Sequence, residues 1–334
     1  MPNAFISGTG FYVPPRVFSN DDLRKQYGID TTHEWIVQRT GIEARRFADE
    51  GVGSADLGAF AAEKAIANAG IDKTDLDMIV FATLSPEHCF PGSGVYMQKK
   101  LGLCDGPNAK FVPALDVRNQ CSGFLYALGT ASAMVKSGAA KHVLVVGAET
   151  HSAALDLSTK GRGVAALFGD GAGAVIVSAT DEDRGIRNWK LGADGRFADV
   201  LAQRVWDIRK RPFIPTNADG VGQVQPEMLW AQMEGKLVFK NAVERMMTVL
   251  MEVCIANGIT GTDIVLFCFH QANLRINQYI QKALAIPDDK VVHNIQRYGN
   301  TTAATIPILR AEAVESGKLK RGMKVACCAF GSGV

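Results

Sequence analysis

The most constraining feature of this sequence is an internal repeat. IANAGIDKTDLDMIVFAT at 66–83 matches IANGITGTDIVLFCFH at 255–270, and VKSGAAKHVLVVG at 135–147 matches VESGKLKRGMKVACCAFG at 314–331. The two pairs are offset by 189 and 179 residues in a chain of 334. Because two unrelated echoes recur at about half the chain length, we infer an ancient duplication that gave two related halves.

Each half alternates helical segments with short apolar runs, which we predict to be β-strands. The predicted strands are 77–83, 112–117, 142–147, 172–178, 263–269 and 323–329. Apolar strands separated by helices favour parallel-rich sheets with helices on both faces. We therefore predict an α/β fold with halves 1–185 and 186–334, divided where TDEDRG interrupts the apolar pattern. The stretch 195–228 carries charges and prolines without a clear period, so we predict a long loop there.

The composition is that of an ordinary globular protein, with 47% hydrophobic and 21% charged residues and a formal charge of +2. Nothing in it indicates a nucleic-acid or membrane-surface partner. No apolar run reaches the ~18 residues that span a bilayer, and the N-terminus lacks the pattern of a secretory signal. The seven cysteines are odd in number and show no zinc-ligand spacing. We therefore expect a cytoplasmic protein with reduced thiols and no metal.

The segment FVPALDVRNQCSGFLYALGTASAMV predicts a reactive cysteine. A strand ends near Val117, and Cys121 then opens a helix that runs to about Val135. In open α/β sheets, ligands bind beyond the carboxyl ends of the strands. The positive end of the helix dipole there lowers the pKa of a thiol, so we expect a thiolate. A buried structural cysteine is the ordinary alternative, but the strand-turn-helix placement favours a nucleophile.

Two more polar groups follow predicted strands or open predicted helices. His270 ends a mostly apolar strand, and Asn300 precedes an apolar helical run, where a simple capping role is the ordinary alternative. Cys121 lies 14 residues before Val135, and Asn300 lies 14 residues before Val314. The repeat therefore predicts that Cys121 and Asn300 occupy equivalent helix starts. A pseudo-twofold arrangement would bring both to one site.

Along almost its whole length, the sequence resembles the ketoacyl-acyl-carrier-protein synthase III family. The matching motifs are DTTHEWIVQRTGI (30–42), QCSGFLYAL (120–128), LFGDGAGA (167–174), HQANLRI (270–276), YGNTTAATIP (298–307) and AFGSG (329–333). The resemblance implies a thiolase fold, in which two related halves form a layered α-β-α-β-α architecture, usually in a homodimer.

The resemblance also implies a mechanism. Cys121 attacks an acyl-CoA to form a thioester, and malonyl-acyl carrier protein then loses carbon dioxide. His270 and Asn300 donate hydrogen bonds to the malonyl thioester oxygen, and the carbanion attacks the acyl group. The backbone N–H groups of Cys121 and Ser332 form the oxyanion hole. Acyl-CoA is a substrate in this scheme, and the chemistry uses no cofactor and no metal.

Further positions are implied by the family motifs. Trp35 and Arg162 would enclose the CoA adenine, with Thr31 as a second adenine contact and Arg39 as a phosphate contact. The remaining implied contacts are Gly235 and Asn273 beside pantetheine, Phe90 reaching across a dimer into the partner's acyl pocket, and Lys240, Arg275 and Lys282 as docking residues for the acidic carrier protein.

Two departures from the family's acetyl-CoA-using members suggest a different starter. The stretch 195–228 is longer than in those members, and Lys236 replaces a frequent asparagine. We therefore hypothesise a medium-chain, long-chain or specialised acyl donor. Family members usually continue past AFGSG with a Thr-Trp-Gly strand, whereas the given sequence ends at Val334.

Other functions remain open at this point. A polyketide-type starter synthase or an acyltransferase to a small molecule would use similar residues. A degradative thiolase would need a second catalytic cysteine in a Cys-x-Gly arrangement, but Ala329 and Phe330 follow Cys328. A non-catalytic acyl-CoA-binding subunit would typically lack Cys121.

Overall fold

The computed structural model describes residues 1–107, 109–205, 207, 209, 222 and 226–333. Its strands are β1 (Asn3–Tyr12), β2 (Val17–Ser19), β3 (Ala44–Arg46), β4 (Met78–Ala82), β5 (Ala114–Val117), β6 (His142–Glu149), β7 (Gly171–Thr180), β8 (Leu201–Ala202), β9 (Gln232–Met233), β10 (Leu266–Phe269) and β11 (Val325–Cys328). Its helices are α1 (Asn20–Tyr27), α2 (His33–Thr40), α3 (Ser54–Ala69), α4 (Ser93–Lys100), α5 (Gly123–Lys136), α6 (Arg162–Ala165), α7 (Pro226–Leu229), α8 (Gly235–Ala256), α9 (Leu274–Ala283), α10 (Ile295–Tyr298) and α11 (Thr305–Glu315). All six predicted strands are confirmed, with shifts of one to three residues at their ends.

The first half of the chain forms a mixed sheet with the strand order β1-β7-β6-β4-β5. The strands β6, β4 and β5 run parallel, whereas β7 is antiparallel to both β6 and β1. Parallel strands need a crossover connection. Helix α4 lies in the connection from β4 to β5, and helix α5 lies in the connection from β5 to β6. The prediction of a parallel-rich sheet is thus correct for β6, β4 and β5 and wrong for β7 and β1.

The second half contains β10 and β11, which pair in parallel with Leu266 opposite Val325. A single parallel bridge joins Phe267 to Val291 and extends this sheet on the β10 side. The two sheets are thus formed by separate parts of the sequence. The division of the chain at 185/186 remains a prediction.

Alternate residues of the first sheet belong to two different cores, as expected for strands covered on both faces. Ile79 and Phe81 of β4 pack in the core on the α3 side, whereas Val80 packs with Phe124 of α5. Helix α11 contacts β1 and β7 as well as β10, so α5 and α11 lie between the two sheets. Helices α8 and α9 pack on the far side of the second sheet. The layers are therefore α-β-α-β-α, which confirms the predicted architecture.

Half of the predicted loop at 195–228 falls outside the described residues. The described parts include a 3-10 turn at Gly195–Phe197 and the strand β8, which pairs antiparallel with β9. Within the described ranges, no helix is long and apolar enough to cross a membrane. Over the same part of the chain, no cluster of three or more His, Cys, Asp or Glu side chains could hold a metal ion.

Candidate active site

Cys121 lies in a 3-10 turn, Gln120–Ser122, that connects the end of β5 to α5. Gln120 has a left-handed backbone conformation with φ of 44°, which is unusual for a residue with a side chain and is typical of functional turns. The thiol of Cys121 is buried, and the backbone N–H groups of Cys121 and Ser332 face its sulfur and act to lower the pKa of the thiol. Two converging N–H groups at one atom form the geometry that stabilises an oxyanion.

The prediction that Cys121 is a thiolate is wrong for the protein without substrate. Burial and, to a smaller extent, the nearby charge of Glu149 together raise the pKa of the thiol to about 12, against the two backbone N–H groups. The α-helix begins two residues later, at Gly123, so the thiol does not cap its N-terminus. Desolvation therefore outweighs the local dipoles, and loading requires removal of the thiol proton.

His270 follows β10 directly, and its backbone N–H donates to the Cys328 carbonyl at 2.8 Å. Its Nδ1 lies 2.6 Å from the Thr305 hydroxyl, while its buried Nε2 has no partner within the described residues. Burial lowers the pKa of His270 to about 3, so the imidazole is neutral. The Thr305 hydroxyl also lies 3.0 Å from the Thr302 carbonyl. The hydroxyl has one proton, which it can donate either to the Thr302 carbonyl or to Nδ1 of His270. When the proton goes to Nδ1, the N–H of the neutral imidazole is on Nε2.

Asn300 is held by its backbone and by its side chain. Its N–H donates to the Leu167 carbonyl at 2.8 Å, and its carbonyl accepts from Gly169 at 3.1 Å. The side-chain Oδ1 accepts a hydrogen bond from the Thr302 N–H at 2.8 Å. With the amide oxygen engaged in this way, the NH₂ group is the part of the side chain that can serve a substrate as donor.

Cys121 and Asn300 do not occupy equivalent helix starts, contrary to the prediction. The turn before α11 is Thr302–Ala304, and it opens with Thr302 at φ 49°, as the first turn opens with Gln120. The equivalent of Cys121 is therefore Ala303. Helix α11 has 11 residues and α5 has 14, so counting back from the helix ends misplaces the match by three residues.

The two turns and the C-terminal segment nevertheless meet. A Cβ added to Gly123 would lie 3.6 Å from that of Ala303, and one added to Gly331 would lie 2.9 Å from that of Cys121. A cavity of about 1640 Å³ lies alongside, and its lining includes Gln120, Ser122 and the segment 327–333. Cys121, His270 and Asn300 do not line this cavity. The candidate site is therefore defined by the contacts among the buried segments that carry Cys121, His270 and Asn300, and not by the cavity.

The sequence analysis missed three buried polar residues beside these groups. Glu149 ends β6, and its charge acts on Cys121. His151 contacts the Thr302 hydroxyl through Nε2, and burial lowers its pKa to about 3. A charged residue at the carboxyl end of a fully apolar strand was the available signal for Glu149. The tertiary contacts of His151 and Thr302 had no such signal.

The predicted adenine and phosphate contacts lie together. The guanidinium carbon of Arg39 lies 4.4 Å from the centre of the Trp35 ring, and that of Arg162 lies 5.1 Å from it. Arg162 also donates to the Asp30 carbonyl at 2.7 Å. Thr31 is buried, and its hydroxyl has no partner within the described part of the chain.

The other predicted positions are more scattered. Asn273 caps α9 and donates to the Arg39 carbonyl at 3.0 Å, whereas Gly235 is the first residue of α8. Phe90 is 83% exposed. The three predicted docking residues are also exposed, and they lie on two helices: Lys240 on α8, and Arg275 and Lys282 on α9.

Arg275 is exposed, but its guanidinium also forms hydrogen bonds to the backbone of a neighbouring segment. Its guanidinium donates to the carbonyls of Gln38 and Val37, at 3.0 and 3.1 Å, near the end of α2. A cation at this position satisfies carbonyl groups that a helix end leaves unpaired. This contact ties α9 to the segment that carries Trp35.

A duplicated, layered chain with a buried cysteine in the turn before α5 and a buried histidine after a strand of its other half is a thiolase-fold condensing enzyme, which is an acyltransferase. The family described as 3-oxoacyl-[acyl-carrier-protein] synthase III matches residues 115–195, and its C-terminal counterpart matches residues 254–334. The chain is 42% identical over 328 residues to a beta-ketoacyl-[acyl-carrier-protein] synthase III 1 of Vibrio vulnificus, covering 98% of this chain and 96% of the relative. It belongs to the 3-oxoacyl-[acyl-carrier-protein] synthase III family.

Solved structures agree with this assignment. The 3-oxoacyl-[acyl-carrier-protein] synthase III of Aquifex aeolicus superposes with a TM-score of 0.85 at 38% identity, covering 99% of this chain and 97% of that one. The priming beta-ketosynthase of the R1128 polyketide pathway gives a TM-score of 0.84 at 31% identity, with 99% and 93% covered. The fold of this chain is thus shared by enzymes named for two different biosynthetic settings.

Proposed function

We propose that this protein condenses an acyl-CoA starter, loaded on Cys121, with malonyl-acyl carrier protein to give a 3-oxoacyl product for fatty acid or related biosynthesis. The observation that carries this proposal is the buried Cys121, against which the segment of Gly331 and Ser332 packs so that the N–H groups of Cys121 and Ser332 act on the sulfur. The same two donors would stabilise the oxyanion of an acyl group attached to that sulfur.

In the first half-reaction, Cys121 attacks the thioester carbonyl of acyl-CoA and CoA leaves as the thiol. The thiol proton must be removed because the pKa of Cys121 is raised to about 12. The neutral His270, whose Nε2 is unpaired within the described residues, is the base we assign to this step. The proton finally goes to the CoA sulfur, so Cys121 ends as a thioester without net charge.

In the second half-reaction, malonyl-acyl carrier protein loses carbon dioxide, and the electrons of the broken C–C bond form an enolate. The Asn300 amide and the Nε2–H of His270 donate to its oxygen. As the base of the first half-reaction, Nε2 carries no proton, so the ring must change tautomer between the two half-reactions, and the Thr305 proton then bonds to Nδ1. The enolate carbon attacks the Cys121 thioester, and the sulfur leaves. No step requires a cofactor or a metal, since decarboxylation itself supplies the nucleophile.

The substrate contacts follow the same proposal. Trp35, Arg39 and Arg162 form an aromatic and cationic surface for the CoA nucleotide, with Thr31 beside it. Gly235 and Asn273 are proposed to line the path of the pantetheine arm. Lys240, Arg275 and Lys282 are proposed to dock the acidic carrier protein, because all three are exposed cations on α8 and α9.

We also propose a homodimer formed through β5, the last strand of the first sheet. An edge strand offers unpaired backbone groups to a second copy. Large apolar side chains are exposed beside it: Leu115 at 41%, Phe111 at 87% and Phe90 at 83%. Pairing of two β5 strands would bury these side chains and bring Phe90 to the partner's acyl pocket.

Two rival functions differ in their residues or substrates. A degradative thiolase needs a second reactive cysteine, but Cys328 is buried, bonds to the Met246 carbonyl at 3.6 Å, and has a pKa raised to about 12. A starter synthase of secondary metabolism would use the same residues with a different acyl group. Turnover of acetyl-CoA against octanoyl-CoA tests the hypothesis of a longer starter, and a strong preference for acetyl-CoA contradicts it.

Intact-protein mass spectrometry after incubation with a panel of acyl-CoAs tests the proposed function. We expect a mass gain of one acyl group in the parent protein and in Cys104→Ala, which removes an exposed cysteine, but not in Cys121→Ala. The acyl group loaded best identifies the donor class. A gain that persists in Cys121→Ala would contradict the assigned nucleophile, and no gain with any acyl-CoA would contradict a CoA-bound donor.

A further inference from the structure

A buried carboxylate that the proposed mechanism does not use lies between the two halves of the site. Glu149 ends β6 and is fully buried. Its Oε2 accepts hydrogen bonds from the Thr83 hydroxyl at 3.1 Å, the Ser85 hydroxyl at 2.6 Å and the backbone N–H groups of Leu84 and Ser85 at 3.1 Å. This side of the carboxylate is thus fixed by the loop that follows β4.

The other side of the carboxylate reaches the second half of the chain. Oε1 accepts a long hydrogen bond, 3.4 Å, from the backbone N–H of Ala303, in the middle of the turn Thr302–Ala304. Glu149 therefore connects the β4 loop of the first half to the turn that precedes α11.

That turn orients both groups assigned to the decarboxylation step. Its first N–H, from Thr302, holds the Asn300 side chain at 2.8 Å. The Thr302 carbonyl lies 3.0 Å from the Thr305 hydroxyl, which contacts Nδ1 of His270 at 2.6 Å. A displacement of this turn would therefore move the Asn300 amide and change the tautomer of His270 together.

The carboxylate has little charge compensation. The basic group that faces it is His151, with Nε2 at 3.9 Å, and burial holds the pKa of this histidine at about 3, so it is neutral. From the turn before α5, Cys121 feels the negative charge of Glu149. The β4 loop and the turn Thr302–Ala304 present hydroxyl and N–H groups. Burial raises the pKa of Glu149 to about 7, so its charge changes near neutral pH.

We propose that Glu149 is a positioning residue that holds the turn Thr302–Ala304 for decarboxylation and whose negative charge adds to burial in keeping Cys121 in its thiol form. The first part of this inference, which concerns decarboxylation, rests on the proposed function. The second part concerns the thiol alone and is independent of any substrate.

The test of the charge is the rate at which iodoacetamide alkylates Cys121, followed by peptide mass spectrometry. Glu149→Gln removes the charge, so we expect about 3- to 10-fold faster alkylation at about pH 8.5, because the thiol pKa falls. At about pH 6 the parent carboxyl is itself protonated, and the two rates should converge. A change in packing alone would alter the rates by the same factor at both pH values.

The test of positioning separates the two half-reactions. We expect Glu149→Gln to slow decarboxylation of malonyl-acyl carrier protein by about 10- to 100-fold, since small displacements of catalytic groups have effects of this size. Loading of Cys121 by acyl-CoA should slow less than decarboxylation does, because the Asn300 amide takes no part in it and the lower thiol pKa opposes any loss at His270.

Two further variants serve as controls. Asp170→Asn removes another buried carboxylate, which accepts hydrogen bonds from Ser152 and from the Ala48 N–H, and it should leave alkylation of Cys121 unchanged. Glu149→Asp keeps the charge but withdraws it from Ala303. We expect parent-like alkylation and slowed decarboxylation from it, and it carries the test if Glu149→Gln fails to fold in a thermal melt.

Equal alkylation ratios at both pH values, or parent-like decarboxylation in either Glu149 variant, would overturn the proposal. If the parent protein neither loads acyl-CoA nor decarboxylates the malonyl substrate, the proposed function fails instead. The alkylation result then still decides whether Glu149 controls the Cys121 thiol.

Discussion

At the scale of single residues, burial dominates the chemistry of the site. The thiol of Cys121 and the imidazoles of His270 and His151 are all enclosed by protein, and each is held in its neutral form. The backbone N–H groups that lower the pKa of Cys121 do not compensate for its desolvation. Glu149, with its pKa raised to about 7, is therefore the group among these whose charge changes near neutral pH.

The buried His151 gives a pH-dependent contribution to stability. Its pKa falls from 6.5 to about 3 on folding, so between these values the unfolded chain binds the proton and the folded chain does not. The free energy of unfolding therefore decreases as the pH falls through this window. Glu149, with its pKa raised to about 7, acts in the opposite direction.

We expect the parent protein to lose about 2 kcal/mol more stability than His151→Asn between about pH 7.5 and 5. Urea unfolding at the two pH values measures this difference. Comparing the two proteins cancels the contribution of Glu149, which both retain. Parallel pH profiles would contradict a depressed pKa at His151.

At the scale of elements, the site is built from turns that meet rather than from any one helix. The 3-10 turns Gln120–Ser122 and Thr302–Ala304 precede α5 and α11, and the C-terminal turn covers the first of them. Left-handed Gln120 and Thr302 store strain that the packed helices behind them maintain. The close approach of Gly331 to Cys121 leaves no space for a side chain.

Gly331→Ala should therefore reduce loading of Cys121. Its new Cβ would lie 2.9 Å from Cys121 Cβ and 3.0 Å from its backbone N, so the turn must move and the Ser332 N–H with it. We expect about a 10- to 100-fold slower transfer from acyl-CoA, measured by mass spectrometry. Gly261→Ala is the matched control, because its Cβ would meet nothing within 4 Å. Unchanged loading in Gly331→Ala would contradict the assigned oxyanion hole.

Arg275 and Lys282 both lie on α9, and Arg275 also bonds to carbonyls of α2. Comparing the two residues therefore separates docking of the carrier protein from the attachment of α9 to α2. Both substitutions to alanine should raise the KM for the carrier protein, since each removes a cation from α9. Arg275→Ala should also lower stability by about 1 kcal/mol, because it loses its bonds to the Val37 and Gln38 carbonyls. Thermal melts of the two variants measure this, and equal melting temperatures would contradict a supporting role for Arg275.

At the scale of the whole molecule, the duplication produces one site from two halves. The first sheet supplies Cys121 and Glu149 beyond the carboxyl ends of β5 and at the end of β6, and the second half supplies His270 and Asn300. Helix α11 contacts both sheets, and the turn that precedes it contacts the turn that precedes α5. Each half alone would lack either the nucleophile or its partners.

The proposed dimer predicts a defined effect at the β5 edge. The double variant Phe111→Glu/Leu115→Lys places charges in the proposed interface, so we expect a mass near the 35.9 kDa of one chain in analytical ultracentrifugation. The parent protein and Ile255→Glu, a control at an exposed position on α8, should give twice that mass. A parent protein that is itself monomeric would contradict the proposal.

The sequence by itself determined the two-half α/β architecture, all six predicted strands and the family. These follow from apolar periodicity, turn residues and a repeat, which are local or nearly local signals. It also identified Cys121, His270 and Asn300 as candidates, because each follows a strand or opens a helix. Their roles remain proposals that rest on the contacts described above.

Only the tertiary structure decided the electrostatics and the register of the site. The direction of the Cys121 pKa depends on how much protein surrounds the thiol, which no local pattern encodes. The match of Cys121 with Ala303, rather than with Asn300, appeared once the lengths of α5 and α11 were known. The role proposed for Glu149 also depends on the tertiary structure, since its hydrogen-bond partners come from residues 83–85 and from Ala303. Desolvation and long-range hydrogen bonds arise only when distant segments pack together.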